Sequence, residues 1–367
     1  MNPTHTQVSE QRSAKTFPFY TFRGSHREIG RQYGEACAEL IGKHLDYALA
    51  RLESKVKIPS RQALEEATMQ YRAYVKKYAP YFDEEIQGLA ESTGLSMGEV
   101  YLLQLRAELY TEFDANDECT TFAVLPEATV DGTPLIGQNA DLPDFYSEIG
   151  IVAEFVPDDG HTCLMLTPAG QISYIGINKQ GLGVFANFLT CEGWRVGFPR
   201  YLLSRLALTK GTVKEAIELV RSVHRASSRN LILLDQTGTA ADLETTASRD
   251  SILEPVHGLL AHSNHYLSPE LLEEERLGGG HLNNSRTRYE RMRTLLDDNH
   301  GQLNTPLMQE ILRDRGSEPY PLCRMPGDDG TDSITFASVI AEPSKGRLCI
   351  AIGPPNQYEY QYYSFTS

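Results

Sequence analysis

From residue 119 onward the chain is written as strands in pairs. Thr120–Thr129 and Thr133–Gln138 flank Asp131-Gly132, Ile149–Val156 and Thr162–Thr167 flank Asp158-Asp159-Gly160, and Gln171–Asn178 and Leu182–Asn187 flank Lys179-Gln180-Gly181. Runs of β-forming residues joined by glycine-containing turns predict antiparallel hairpins. Asn230–Asp235 with Thr239–Thr245, and Ser251–Val256 with Leu259–Ser263, continue the series; Ile334–Ala341, Arg347–Gly353 and Tyr358–Phe365 close it. Helical patterns fall between them, at Pro199–Thr209, Val213–Arg225, Pro269–Arg276, Arg286–Asp298 and Pro306–Asp314. Sheets made of hairpins must bury their apolar faces on each other or on these helices. The expected fold is therefore α+β, with layered antiparallel sheets covered by helices.

The chain ahead of residue 119 has a different texture. A strand is expected over Phe17–Gly24, then a helix from Glu28 to about Lys57, where Ala36, Leu40, Ile41, Leu45, Ala48 and Leu52 recur at three and four. Gly30 and Gly34 lie on one face of it. Each costs about 1 kcal/mol in a helix interior, so close packing of another element must compensate. Further helices are expected over Arg61–Ala79 and Tyr81–Ser92, and a fourth after the Ser96…Glu99 capping box, to about Tyr110. The chain thus divides into a disordered terminus (1–16), a mainly helical segment (17–118) and a sheet-bearing segment (119–367).

Charge and cysteine usage narrow the function classes. The 367 residues carry a net charge of −15 without a Lys/Arg cluster, which argues against a nucleic-acid partner or an anionic membrane surface. No apolar run reaches the length of a membrane span, and residues 1–16 lack the apolar core of a secretory signal, so a cytoplasmic protein is expected. The six cysteines show no CxxC pairing and are expected to be free thiols. No cofactor motif is visible.

One thiol stands apart by position. Glu118-Cys119-Thr120-Thr121 lies where the polar, acidic loop 111–118 meets a β-forming run, Thr121–Pro126. A nucleophile needs such a place, rigid on one side and accessible on the other. A lone cysteine at a strand start is equally a small buried hydrophobe, so position alone leaves both readings open.

Several segments together resemble one family. They are Gly24-Ser25-His26-Arg27-Glu28-Ile29-Gly30-Arg31-Gln32-Tyr33-Gly34; Glu84–Ala90 with Leu103–Glu108; Cys119-Thr120-Thr121; Gly137-Gln138-Asn139-Ala140-Asp141, similar to G-Q-N-W-D; His262-Ser263-Asn264-His265, similar to H-T-N-H; and Thr335–Phe365 with its Gly353-Pro354-Pro355. In this order and spacing they resemble the acyl-CoA:6-aminopenicillanate acyltransferase family of N-terminal nucleophile hydrolases. The resemblance implies a four-layer αββα sandwich and self-cleavage before Cys119, leaving fragments 1–118 and 119–367 associated. Glu118, Ala140 and the Pro321-Leu322 pair before Cys323-Arg324 depart from the family pattern.

The resemblance also implies roles. Cys119 supplies the nucleophile, and once the preceding bond is cut its own α-amine, of reference pKa about 7.7–8.0, accepts the thiol proton. Asn264 supplies an oxyanion donor; its plainer reading is a turn residue. Asp141 orients the Cys119 amine and lends a backbone N–H to the oxyanion; its plainer reading is an Asx turn before Pro143. Ser228 corresponds to a serine needed for processing, or is a loop serine. Arg288 pairs with a carboxylate or phosphate, or lies on a solvated helix face. Arg106 braces the site together with Glu108, or the two form a helix-surface pair. Thr121, Asn139 and Arg324 complete the supporting set. His262 and His265 as zinc ligands form a competing reading of the H-x-x-H segment.

Three functions follow as expectations. The leading one is an autoproteolytically activated amidohydrolase that cleaves a linear amide in a small-molecule substrate through a Cys119 thioester. The second is an acyltransferase that loads the same thioester from acyl-CoA and discharges it onto an amine. The third is an uncut, non-catalytic binding protein. No glycine-rich phosphate loop or basic cluster marks a CoA site, which favours hydrolysis.

Overall fold

The computed structural model describes residues 12–55, 60–109 and 118–366. In chain order the elements are β1 (Phe19–Gly24), α1 (His26–Lys55), α2 (Arg61–Tyr78), α3 (Pro80–Thr93), α4 (Met97–Leu105), β2 (Glu118–Val124), β3 (Leu135–Pro143), α5 (Tyr146–Ile149), β4 (Gly150–Pro157), β5 (Cys163–Pro168), β6 (Ile175–Asn178), β7 (Gly183–Asn187), α6 (Leu202–Ala207), α7 (Val213–Ser222), β8 (Arg229–Leu234), β9 (Ala240–Thr245), β10 (Asp250–Leu253), β11 (Leu259–His262), α8 (Gly279–Asp298), α9 (Thr305–Leu312), β12 (Ser333–Glu342), β13 (Arg347–Ile352) and β14 (Gln361–Ser364).

Two sheets result. One runs β1-β4-β5-β6-β7-β8-β9-β10 and the other β11-β2-β3-β12-β13-β14. All pairings are antiparallel except β1 with β4. Three apolar clusters define four layers. The first joins α1–α4, α6 and α7 to the outer face of the eight-stranded sheet. The second fills the space between the sheets. The third joins the six-stranded sheet to α8 and α9. This is the αββα sandwich that the family resemblance implied, and the α+β layering that the strand and helix patterns predicted. Among the described residues no helix is long and apolar enough to cross a membrane.

Strand alternation sorts the side chains between layers. On β2, Cys119 and Ala123 face the second sheet while Phe122 and Val124 face the helices. On β3, Ile136, Ala140 and Leu142 face inward and Leu135 outward. A Cβ on Gly137 would stand 2.1 Å from the Val339 carbonyl oxygen, so only glycine lets β3 lie this close to β12. The compensation expected for Gly30 is also visible. α1 crosses α3 so closely that a Cβ on Gly30 would meet the Glu85 carbonyl oxygen at 2.0 Å, and one on Gly88 would meet the Arg27 carbonyl oxygen at 2.2 Å. The capping box forms as read, with Ser96 N–H to Glu99 Oε2 at 2.9 Å and Glu99 N–H to Ser96 Oγ at 3.1 Å.

Three expectations are corrected. Ser251–Val256 and Leu259–Ser263 meet only at the turn, where Val256 and Leu259 form one antiparallel bridge; beyond it β10 pairs with β9 and β11 with β2, so the chain crosses between sheets at His257-Gly258. Turn chemistry marks a reversal but does not say which sheet receives the next strand. Pro269–Arg276 forms only a short 3-10 turn, Leu272–Glu274. Arg249 holds the Glu270 carbonyl at 2.6 Å, a backbone group the helix would have used, and the Glu244 carboxylate fixes the entering chain by the Leu267 and Ser268 N–H groups at 2.6 and 3.0 Å. Within the terminus read as disordered, residues 1–11 lie outside the described residues, but Ser13 pairs with the backbone around Tyr358. That partner is hundreds of residues away, so no local pattern announces it. The loop 111–117 also lies outside the described residues.

Candidate active site

Cys119 is the second residue of β2, opposite Ala140 of β3, and is 5% exposed. Its side chain points between the sheets. Gln138 Nε2 lies 3.7 Å from the sulfur, and Gln138 is held in that orientation because its Oε1 accepts the Ala186 N–H at 3.0 Å. Burial pushes the thiols of Cys37 and Cys323 up to about 12 and those of Cys163 and Cys349 up to about 11, and also raises that of Cys191.

The backbone of Cys119 is gripped by side chains from three other elements. Its N–H donates to Asn264 Oδ1 at 2.9 Å. Its carbonyl oxygen accepts from Asn187 Nδ2 at 3.1 Å and from Arg288 Nη1 at 2.7 Å. Arg288 also donates from Nη2 to Asn264 Oδ1 at 2.9 Å and from Nη1 to Thr120 Oγ1 at 2.8 Å, while Asn284 Oδ1 fixes its Nε at 2.6 Å. One planar fork therefore sets both the Cys119 carbonyl and the Asn264 amide, a task suited to arginine. Arg288 is 1% exposed, so it is not on a solvated helix face. Two donors on its oxygen fix the Asn264 flip state. Its Nδ2 donates to the Phe188 carbonyl at 3.0 Å, and its N–H to Ser285 Oγ at 2.7 Å.

The remaining predicted residues separate by face. Thr121 points inward with Cys119 and donates to Asn187 Oδ1 at 2.7 Å, which also accepts from Asn230 Nδ2 at 3.1 Å. Asp141 sits across from Glu118, on the residue pair next to Cys119, and its Oδ1 accepts the Thr335 hydroxyl at 2.6 Å. Thr335 Oγ1 also takes the Arg324 N–H at 2.9 Å, and Arg324 Nη2 reaches Thr331 Oγ1 at 2.9 Å. Asn139 faces the helices and ties the Leu312 and Leu322 carbonyls, each at 2.8 Å, to β3. Ser228 is buried in a loop bond to the Leu189 carbonyl and accepts Trp194 Nε1 at 3.1 Å. The Arg106 side chain lies outside the described residues. Glu108 is no helix-surface group: its side chain is 1% exposed, and it accepts the Arg200 N–H at 2.9 Å and the Ser227 hydroxyl at 3.2 Å.

The two histidines have separate partners. His262 Nε2 meets Glu244 Oε1 at 2.8 Å and Nδ1 meets the Ser263 carbonyl at 2.7 Å. Burial alone would lower its pKa, but the Asp242 and Glu244 carboxylates carry it up to about 9. Burial also holds Asp242 up at about 7. His265 Nδ1 meets Ser285 Oγ at 2.8 Å, and burial pushes this ring down to about 3. Among the described residues no three His, Cys, Asp or Glu side chains are grouped to hold a metal ion.

Sequence reasoning missed Asn187, Gln138 and the arginines Arg200 and Arg229. Asn187 and Arg229 end and begin apolar strands, where a polar residue must find a partner or a purpose. Gln138 stands inside the Gly137–Asp141 segment, where nothing in the local pattern marks its contact with the thiol.

The chain thus forms four layers, with the Cys119 thiol in the apolar cluster between the two sheets. The chain belongs to the acyl-coenzyme A:6-aminopenicillanic acid acyl-transferase family, a family of enzymes, whose model matches residues 128–357. The matched stretch begins downstream of Cys119. A relative from Emericella nidulans, the 40 kDa form of acyl-coenzyme A:6-aminopenicillanic-acid-acyltransferase, is 27% identical over 340 residues, covering 92% of each chain. Among solved structures, a mutant conjugated bile acid hydrolase from Clostridium perfringens is 15% identical, with TM-score 0.47 over 68% of this chain and 97% of its own. Penicillin V acylase from Agrobacterium tumefaciens is 14% identical, with TM-score 0.41 over 68% of this chain and 78% of its own. Membership of an enzyme family sets aside the non-catalytic binding protein.

Proposed function

We propose that this chain is a cytoplasmic cysteine amidohydrolase that activates itself by cutting the bond before Cys119. The observation that carries the proposal is the grip on Cys119: its nitrogen on Asn264, its carbonyl on Asn187 and Arg288, and its sulfur turned into the space between the sheets. In processing, Cys119 Sγ attacks the carbonyl carbon of residue 118. The acyl group moves from nitrogen to sulfur, and water then hydrolyses the thioester. The products are residues 1–118, ending in a carboxylate, and residues 119–367, beginning with a free amine; they remain associated. Asp141, across the strand pair from residue 118, is a positioning residue for this step.

In turnover the new amine of Cys119 accepts the thiol proton, so nucleophile and base share one residue. Asn264 Oδ1 already accepts a hydrogen from this nitrogen and keeps doing so after cleavage, which holds the amine in register with Sγ. The thiolate attacks the substrate carbonyl. Asn264 Nδ2 and a backbone N–H, that of Asp141 in this reading, stabilise the oxyanion. The amine leaves with the proton, and water releases the acid from the thioester.

A second reading has the same thioester loaded from acyl-CoA and discharged onto an amine. The name of the matching family and that of the Emericella relative support it. Incubating purified protein with a panel of linear amides, with and without an acyl-CoA and an acceptor amine, separates the two. Release of free acid without CoA supports hydrolysis; CoA-dependent amide formation supports transfer.

A further inference from the structure

Arg229, the first residue of β8, is 3% exposed. Among the described residues its guanidinium has no hydrogen-bond or ion-pair partner, and its Nε is enclosed without one. A guanidinium stays charged in a protein interior. A buried charge left without a counter-charge costs several kcal/mol, so a stable fold retains one where a ligand completes the site. The backbone of Arg229 is clamped on both sides by Thr245, whose hydroxyl accepts its N–H at 3.2 Å and donates to its carbonyl at 2.7 Å. The side chain is thus presented from a rigid position.

The ring neighbours of Arg229 belong to the inter-sheet cluster that contains Cys119. The guanidinium carbon sits 4.8 Å over the Tyr201 ring. Tyr201 lies 6.1 Å from Tyr174, and Tyr174 6.1 Å from Phe336; all three belong to the inter-sheet cluster that contains Cys119. Burial holds the Arg229 pKa below its ordinary value and the Arg200 cation does the same, whereas Tyr201, Tyr174 and a Cys119 thiolate act in the opposite direction. Arg200 itself has a carboxylate, Glu108, at 3.8 Å, and stacks over Phe188 at 4.4 Å. Arg229 is the one of this pair that meets no carboxylate among the described residues.

We propose that Arg229 is a specificity-determining residue that binds a carboxylate on the substrate, so that the enzyme acts on amides carrying an anionic group and an apolar, ring-compatible body close to the scissile bond. This inference rests on Cys119 being the nucleophile.

The first test needs no known substrate. Phenylacetate and glutarate are offered as protectants of Cys119 against iodoacetamide in the mature protein, with phenylacetamide and glutaramide as neutral counterparts, and peptide mapping reads each thiol. At least one anion should slow Cys119 alkylation tenfold or more relative to its neutral partner. Arg229→Gln should abolish that difference, and Arg229→Lys, which keeps the charge, should restore part of it and serves if the Gln variant does not fold. A second arm locates the anion: N-phenylacetylglycine carries it on the amine side and glutaric mono-anilide on the acyl side, each compared with its primary amide. The preferred side should show a kcat/KM advantage of about 10–10² through KM, the worth of a charge-assisted pair. Equal protection by acids and amides in the wild-type protein, or a preference that survives Arg229→Gln, overturns the inference and leaves the Cys119 reading standing. An uncut chain whose Cys119 is unreactive overturns both.

Discussion

Arg288 donates to the carbonyl oxygen of Cys119 at 2.7 Å from the same guanidinium that holds Asn264 Oδ1 at 2.9 Å. The Cys119 carbonyl and the Asn264 amide are thereby set against each other by one rigid plane. Arg288→Lys keeps the charge but cannot span both oxygens. Losing one charge-assisted hydrogen bond costs about 1.5–3 kcal/mol, so self-cleavage and kcat should each slow by roughly 10–10². The time course of fragment appearance by intact mass, and steady-state kinetics on the matured variant, check this. Unchanged rates for both reduce Arg288 to packing.

Asn264→Ala removes the Nδ2 donor and the acceptor for the Cys119 nitrogen. The fold should persist, and kcat should fall by about 10²–10³ with KM little changed, as for other oxyanion donors. Full activity in a folded variant would make Asn264 only a turn residue.

Gly30→Ala tests the layer packing. A Cβ there lies 2.0 Å from the Glu85 carbonyl oxygen, and backbone on both sides must move. The expected loss is about 1–3 kcal/mol of stability, read as a lower urea midpoint. Gly42→Ala, whose Cβ meets nothing within 4 Å, is the control and should not be destabilised.

His262 makes stability fall with alkaline pH. Its folded-state pKa is about 9, above the ordinary 6.5, because two carboxylates face it from β9. A raised pKa means the folded state holds the proton more tightly. The stabilisation is therefore fully present below about pH 6.5 and is lost as pH rises through 9. The denaturation midpoint should drop between pH 6.5 and 9, by roughly 1–3 kcal/mol in free energy, and His262→Asn should flatten that slope.

Much of this architecture was legible because it is written locally. Period-two runs with glycine turns gave the hairpins, and the Gly30 and Gly34 spacing gave a close helix crossing whose partner proved to be Gly88 of α3. What local patterns could not carry is the destination of a strand: His257-Gly258 turns the chain, yet only the sandwich decides that β11 leaves β10 for β2. The site divides in the same way. Cys119 and Asn264 stood in recognisable motifs and do meet, nitrogen to oxygen. Asn139 stood in such a motif too, but strand alternation turns it to the helical side, where it ties down the segment around Leu322. Asn187 and Arg229 carry no motif, since each owes its place to pairing across β7, β8 and β9.

The central claim is that Cys119 is both the processing and the catalytic nucleophile. Intact mass and N-terminal sequencing of purified wild-type protein and of Cys119→Ala, alongside amide turnover, test it most directly. Active wild-type protein should consist of fragments 1–118 and 119–367 with Cys119 at the new terminus, and Cys119→Ala should be a single inactive 367-residue chain. Alanine variants at Cys37, Cys163, Cys191, Cys323 and Cys349 should still be processed. An uncut wild-type chain with full activity, or an active Cys119→Ala, would contradict it.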